Sequence, residues 1–240
     1  MVILFQVFSN NSVISSFQHD LGGVKVSDRS TIKRKPERGV EERSELYSVL
    51  DEGLVAHVGI ICEEEDRSYP LVIPMFYARK EDHLLLHGSV ASRLLRETKK
   101  GIEVCVEVTL LDGLVLARAA VNISMNYRSV VIFGNAQEII DHEEKAEALD
   151  AIVEHGIPGR MQDVRANTEK EVKATTVLSL PLEEYSMKVR TGPPIDDFGD
   201  FTSPAWAGVI PLGISVGEPE PELSGGEREL PSYISNWRRG

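Results

Sequence analysis

Between residues 54 and 140 the chain passes through seven short apolar runs, LVAHVGII, YPLVIPMFY, HLLLH, IEVCVEVTL, LVLARAAVNI, YRSVVIFG and NAQEII, with no long helix separating them. Their spacing, near the ~8 to 12 residues of strand-turn-strand chains, fits an antiparallel barrel or sandwich, with Asp112-Gly113 as a hairpin turn. A parallel doubly wound sheet is excluded, because its crossovers need helices. Two helical patterns interrupt the strands. One opens at Ser92 and ends at Gly101; the other covers residues 143–154, with Ala146, Leu149, Ile152 and Val153 on one apolar stripe. Both are expected to lid openings of a barrel, which TTVLSLPLE and EYSMKVRTG complete late in the chain.

The flanks differ in composition. Residues 1–30 are rich in Ser, Asn and Gly and read as a tail; residues 217–240 are rich in Pro, Glu and Gly and read as a flexible acidic tail, leaving 31–216 as the folded domain. Within it, IKRKPERGVEER carries a basic cluster, Lys33, Arg34, Lys35 and Arg38, open to a solvated or a ligand-binding reading. SELYSVLDEG then reads as a short helix from Ser44 to a stop at Gly53. Beyond Gly156 an irregular loop is expected.

A net charge of −12 argues against a nucleic-acid or anionic-membrane partner, and no run approaches the ~18 apolar residues of a membrane span. Cys62 and Cys105 lie in strand-like runs and read as buried reduced thiols in a cytoplasmic setting. His83 and His87 stand four apart on a strand, roughly 13 Å at ~3.3 Å per residue, too far to share a metal. Asp196, Asp197 and Asp200 lack a cation-loop spacing, and turn chemistry accounts for them. No metal site is expected. No nucleophile elbow, P-loop or dinucleotide fingerprint is present.

What remains is an anion-binding inventory. Residues 87–93, HGSVASR, offer backbone amides, the hydroxyls of Ser89 and Ser92 and the Arg93 guanidinium. These suit a phosphomonoester, and helix capping by either serine accounts for them equally well. Pro74 interrupts the preceding strand, which therefore belongs at an edge or a bulge. Lys188 and Arg190 share one strand face, and Trp206 sits among small residues.

Together RKPERGV, LDEGLVAHVG, YPLVIPMFY, LLLHGSVASRLL, YRSVVIFGNAQEI, the PGR and DVR of the 156–165 loop, KVRTGPPIDD and PAWAGVIPL resemble the flavin-nucleotide-binding split-barrel superfamily. The resemblance is to its pyridoxamine 5'-phosphate oxidase-like branch, which includes the 5-nitroimidazole resistance reductases. It implies an all-β fold with a few helices, a six- to eight-stranded antiparallel split barrel, and a homodimer with FMN at the interface. It places Val72, Ile73, Pro74 and Met75 along the flavin ring, with His87 and Gly88 near it and His87 as the catalytic candidate. It assigns the phosphate to Ser89, Ser92 and Arg93, and puts Ser129 and Trp206 at cofactor contacts. Leu94 replaces a phosphate-binding lysine of the oxidases, so Arg128, Lys188 or Arg190 would have to compensate. The Arg-x-His grip on pyridoxal phosphate is missing after Trp206, which argues against vitamin B6 oxidation. The implied function is an FMN-dependent oxidoreductase, reduced by NADH or NADPH and passing electrons to a small-molecule acceptor. The alternative is a non-catalytic FMN or haem carrier or sensor.

Overall fold

The computed structural model describes residues 27–222, 224, 226 and 228–239. After a 3-10 turn Pro36–Arg38, the elements run α1 (Arg43–Glu52), β1 (Val55–Glu64), β2 (Arg67–Lys80), β3 (His83–Ser89), α2 (Arg93–Thr98), β4 (Val104–Leu116), β5 (Ser124–Gly134) and β6 (Gln137–Glu138). There follow α3 (His142–Gly156), α4 (Glu169–Ala174), β7 (Thr175–Pro181), β8 (Glu184–Arg190), β9 (Gly208–Pro211) and α5 (Ser232–Ser235). One antiparallel sheet carries eight strands in the order β6-β7-β3-β2-β1-β4-β5-β8, and β9 adds to β4 off that path. This is the expected split barrel.

Burial follows from side-chain alternation. In β1, Ala56, Val58, Ile60 and Cys62 are buried while the residues between them face outward. β3 breaks that rule, with Leu84, Leu85 and Leu86 all buried. Leu84 and Leu86 enter the main core with Tyr77, Val106, Ile132 and Leu178; Leu85 enters a second core with Ala78, Leu149, Ile152, Val172 and Val177. A strand covered on both faces reads as a continuous apolar run. The second core is roofed by α3: Leu149 and Ile152 of the expected stripe are buried and Ala146 packs against the same core, while Ala148 and Gly156, rather than Val153, complete the buried side. A Cβ at Gly156 would run into the Phe76 ring, so this glycine sets how closely α3 approaches β2.

Several sequence expectations are corrected. Asp112-Gly113 is no hairpin: β4 runs through it, with a register shift between Leu111 and Gly113. Gly113 serves close packing, since a Cβ there would lie 3.0 Å from the Ile210 carbonyl of β9. Glu42, not Ser44, occupies the α1 cap position. Part of the irregular loop is α4, started by a capping box between Thr168 and Glu171. Cys105 is exposed while Cys62 is buried, and both are free thiols.

Of the N-terminal tail, residues 1–26 lie outside the described residues. Ser27 and Arg29 hold Glu184 at the start of β8. The end of the acidic tail also departs from expectation: Tyr233 donates to Asp163 at 2.6 Å, Trp237 Nε1 to the Gly156 carbonyl at 2.8 Å and Arg239 Nε to the Glu52 carbonyl at 2.9 Å. The last two bonds complete carbonyls at the C-termini of α3 and α1, a need that composition does not reveal. No helix among the described residues is long and apolar enough to cross a membrane.

Candidate functional site

The strand carrying Pro74 is half unpartnered. Residues 67–76 of β2 pair with β1, with Pro74 opposite His57, while β3 joins β2 only over residues 77–80. Among the described residues no strand pairs with the other edge of this outer half of β2, a position that a proline tolerates. Val72 is 59% exposed, and Ile73 and Phe76 are also exposed; Met75 turns toward the main core.

Beside that edge, β3 delivers the loop. Ser89 Oγ accepts from the Ala91 amide at 3.2 Å, so this hydroxyl has a partner within the turn. Ser92 stands at the α2 cap position with no side-chain cap bond, so capping does not occupy its hydroxyl. Arg93 donates to Glu64 at 2.6 Å and lies 5.2 Å over the Tyr69 ring. Glu64 also accepts from Arg67 and Tyr69, and these three donors hold its carboxyl below the usual range. Sequence reasoning missed this Glu64-Tyr69 bracket, although both residues flank the β1–β2 turn. Gly88 is needed for packing: a Cβ would meet Leu95 at 2.9 Å. His87 Nδ1 is buried with no hydrogen-bond partner among the described residues, an orphan that a bound group could satisfy.

Leu94 points the other way. It is 2% exposed and belongs to the main core. The oxidases' second cation thus has no room here.

The remaining candidates form a separate group. Arg128 and Ser129 lie on β5, Lys188 and Arg190 on β8, with Ser129 opposite Lys188 and Tyr127 opposite Arg190. β1 and β4 stand between β2 and β5, three steps of ~4.8 Å, so one chain does not bring this group to the loop. Arg128 forks onto Glu52 and Asp112, Lys188 donates to the Arg34 carbonyl, and Arg190 donates to Asn126 and to the Gly192 and Pro193 carbonyls. Trp206 is 66% exposed beside β9, its ring over Gly208. Asp196 accepts from the Arg118 amide and guanidinium, and no acid or His/Cys group among the described residues forms a metal cluster.

A second imidazole lies on the α3 side of the sheet. His155 contacts the Gly53 carbonyl at 2.8 Å, stacks 5.0 Å from Tyr77 and meets Arg239 at 3.0 Å. Burial holds both His87 and His155 below the ordinary imidazole value, and the Arg239 charge adds to this at His155. The unfolded chain therefore binds more protons once pH drops below about 6.5. Stability is full above that pH and is lost as pH falls through the lower folded values. The thermal midpoint should fall between about pH 7 and 5, and His155→Gln should flatten the fall. Equal slopes for the two proteins would remove His155 from this account.

The fold, the free strand edge and the hydroxyl-bearing loop define a split barrel of the flavin-binding class. The pyridoxamine 5'-phosphate oxidase family matches residues 42–189, and the chain belongs to that family. Among solved structures it is similar to the flavocytochrome Anf3 from Azotobacter vinelandii, at 40% identity over 89% of this chain and 98% of that one, with a TM-score of 0.81. It is also similar to the FAD and heme binding protein from Mycobacterium smegmatis, at 34% identity over 82% and 96%, TM-score 0.76. A protein described as a 5-nitroimidazole antibiotic resistance protein from Bacteroides thetaiotaomicron matches at 25% identity over 63% and 86%, TM-score 0.50. No curated protein sequence matches.

Proposed function

We propose that the chain is a flavin-dependent electron-transfer protein whose cofactor ring lies along residues 72–75 and whose phosphate end is held by the 87–93 loop. The observation that carries this is the unpartnered half of β2 directly beside Ser92, Arg93 and the orphaned His87 nitrogen. An isoalloxazine edge needs backbone donors and acceptors that no neighbouring strand has taken. A bound flavin supplies hydride and single-electron chemistry; the chain supplies position, burial and donors. His87 Nδ1 offers a hydrogen bond to the ring. Arg93 reaches a phosphate by exchanging its contact with Glu64.

The second group enters through a homodimer. Val55, Ile61, Val72, Phe76 and Leu111 leave the outer sheet face apolar and exposed, and a partner packed there would bring its own Ser129 and Trp206 toward the loop. The mycobacterial FAD and heme binding protein favours FAD over FMN and haem as a second group, and the flavocytochrome Anf3 likewise favours a flavin with a cytochrome partner group. They thereby support an electron carrier as strongly as an oxidoreductase with NADH or NADPH as reductant. Purified protein should show flavin absorbance, release FAD or FMN on denaturation, and bleach on anaerobic addition of a nicotinamide if it turns over. A colourless protein that takes up neither flavin would sink the proposal. Arg93→Ala should weaken flavin binding by about tenfold or more, as expected of one charge-assisted bond. Glu64→Gln, which frees Arg93, should strengthen it.

A further inference from the structure

Several acids of this chain are answered by an arginine: Glu52 by Arg128, Glu64 by Arg93, Glu171 by Arg165 and Glu184 by Arg29. Glu41 and Glu42, just ahead of α1, are not. Neither side chain makes an ion pair or a hydrogen bond among the described residues, although Glu42 stands at the α1 cap position, where an amide was within its reach. Both line a cavity of about 540 Å³, and no lysine or arginine among the described residues lines it with them.

The cavity lies at the margin of the sheet. β8 ends the strand order, and among the described residues its outer backbone edge is met near Met187 and Lys188, where Gly39 bridges to Lys188 and the Val40 amide donates to the Met187 carbonyl at 3.1 Å. Ahead of that contact Tyr185 and Ser186 line the cavity, with Ile32, Pro36, Val40 and Met187 as its apolar part. Tyr185 is 7% exposed, and its buried hydroxyl has no hydrogen-bond partner among the described residues. Such an orphan costs free energy unless a bound group satisfies it. Burial chiefly, with the Glu41 charge among its neighbours, pushes this phenol above its ordinary value, so Glu41 is within electrostatic reach of it. Arg43, the cation that also acts on the phenol, is committed to Asp82 and the Leu182 carbonyl.

Two unanswered carboxylates and an unpartnered phenol beside an apolar lining are complementary to a cation with an apolar body. An ammonium carries three donors and no acceptor, and all three of these side chains can accept. The cavity volume falls within the ~300 to 1,000 Å³ of small-molecule sites. We infer that this cavity binds a small primary amine, an ammonium carried on a short apolar chain or ring, with Glu41 and Glu42 as counter-ions and the Tyr185 hydroxyl as a third acceptor. It shares no lining residue with the 72–75 edge or the 87–93 loop, so it stands whether or not a flavin lies there.

The test titrates the purified full chain by calorimetry with phenethylamine and, separately, with phenethyl alcohol, which has the same apolar body and no charge. The amine should bind, more weakly as salt rises, and the alcohol should bind about tenfold or more below it. A double variant, Glu41→Gln with Glu42→Gln, should lose about tenfold or more of the amine affinity at an unchanged thermal midpoint, because neither carboxylate has a partner to lose. Tyr185→Phe should weaken the amine severalfold while holding or raising the midpoint, since it deletes an unsatisfied hydroxyl. Arg93→Ala should leave amine binding unaltered. No binding of the amine, equal binding of the alcohol, or amine affinity indifferent to the double variant or to Tyr185→Phe would overturn the inference.

Discussion

A lysine at position 94 is expected to destabilise the folded chain by about 3 kcal/mol or more while leaving flavin affinity no higher. By family pattern the substitution restores a phosphate cation. By structure it drives an ammonium into the main core, where Leu94 lies 2% exposed among the aliphatic residues that close the barrel. The α2 carbonyl of Leu94 already accepts from Thr98 Oγ1 at 2.9 Å, so no backbone acceptor waits there for the new charge. The four-carbon stem could carry the ammonium toward solvent only by displacing neighbours. Denaturant unfolding reads the loss directly, and Leu94→Met, which conserves volume, should cost under ~1.5 kcal/mol. A Leu94→Lys protein of unaltered stability that binds flavin more tightly would mean that this side chain turns to the loop after all.

Arg128→Met is expected to cost about 2 kcal/mol at neutral pH, below the figure for a fully buried pair because the guanidinium is partly exposed. Arg128 clamps Glu52 at the end of α1 to Asp112 at the β4 irregularity, with distances of 2.8 Å from one nitrogen to each acid. Removing it leaves two carboxylates facing one another. Urea unfolding at neutral pH measures this loss. The same variant tests the assignment of Arg128 to the cofactor: lost flavin affinity at retained stability would put it in a partner's site, and the reverse would make it a structural clamp.

How much was legible depended on the range of the interaction. The alternation in β1, the triple leucine of β3 and the breaks at Gly53 and Gly101 are local, and they marked the strands and helices. Asp112-Gly113 misled because one dipeptide serves both a turn and a close backbone approach, and only β9 decides between them. β9 itself has four residues, too few to show a period. The capping box of α4 was visible in Thr168 and Glu171 and was passed over amid irregular composition. At the site, the strand and the loop are neighbours in sequence and could be joined on sight. Leu94 could not be oriented without the helix, and the meeting of Glu41 and Glu42 with Tyr185 could not be seen at all, since these residues lie far apart in the chain and meet only by pairing to β8.

β3 gives its odd and even side chains to different cores, and β2 does the same through Tyr77 and Ala78. Neither core can melt while the other stays ordered, because the same two backbones wall both. The described body should therefore unfold in one cooperative step, with far-ultraviolet dichroism and tryptophan emission changing together. Evolutionary drift in the roof helix is then coupled to the barrel, so a lesion in α3 would be felt at the unpaired edge of β2 as a loss of order rather than as a missing contact.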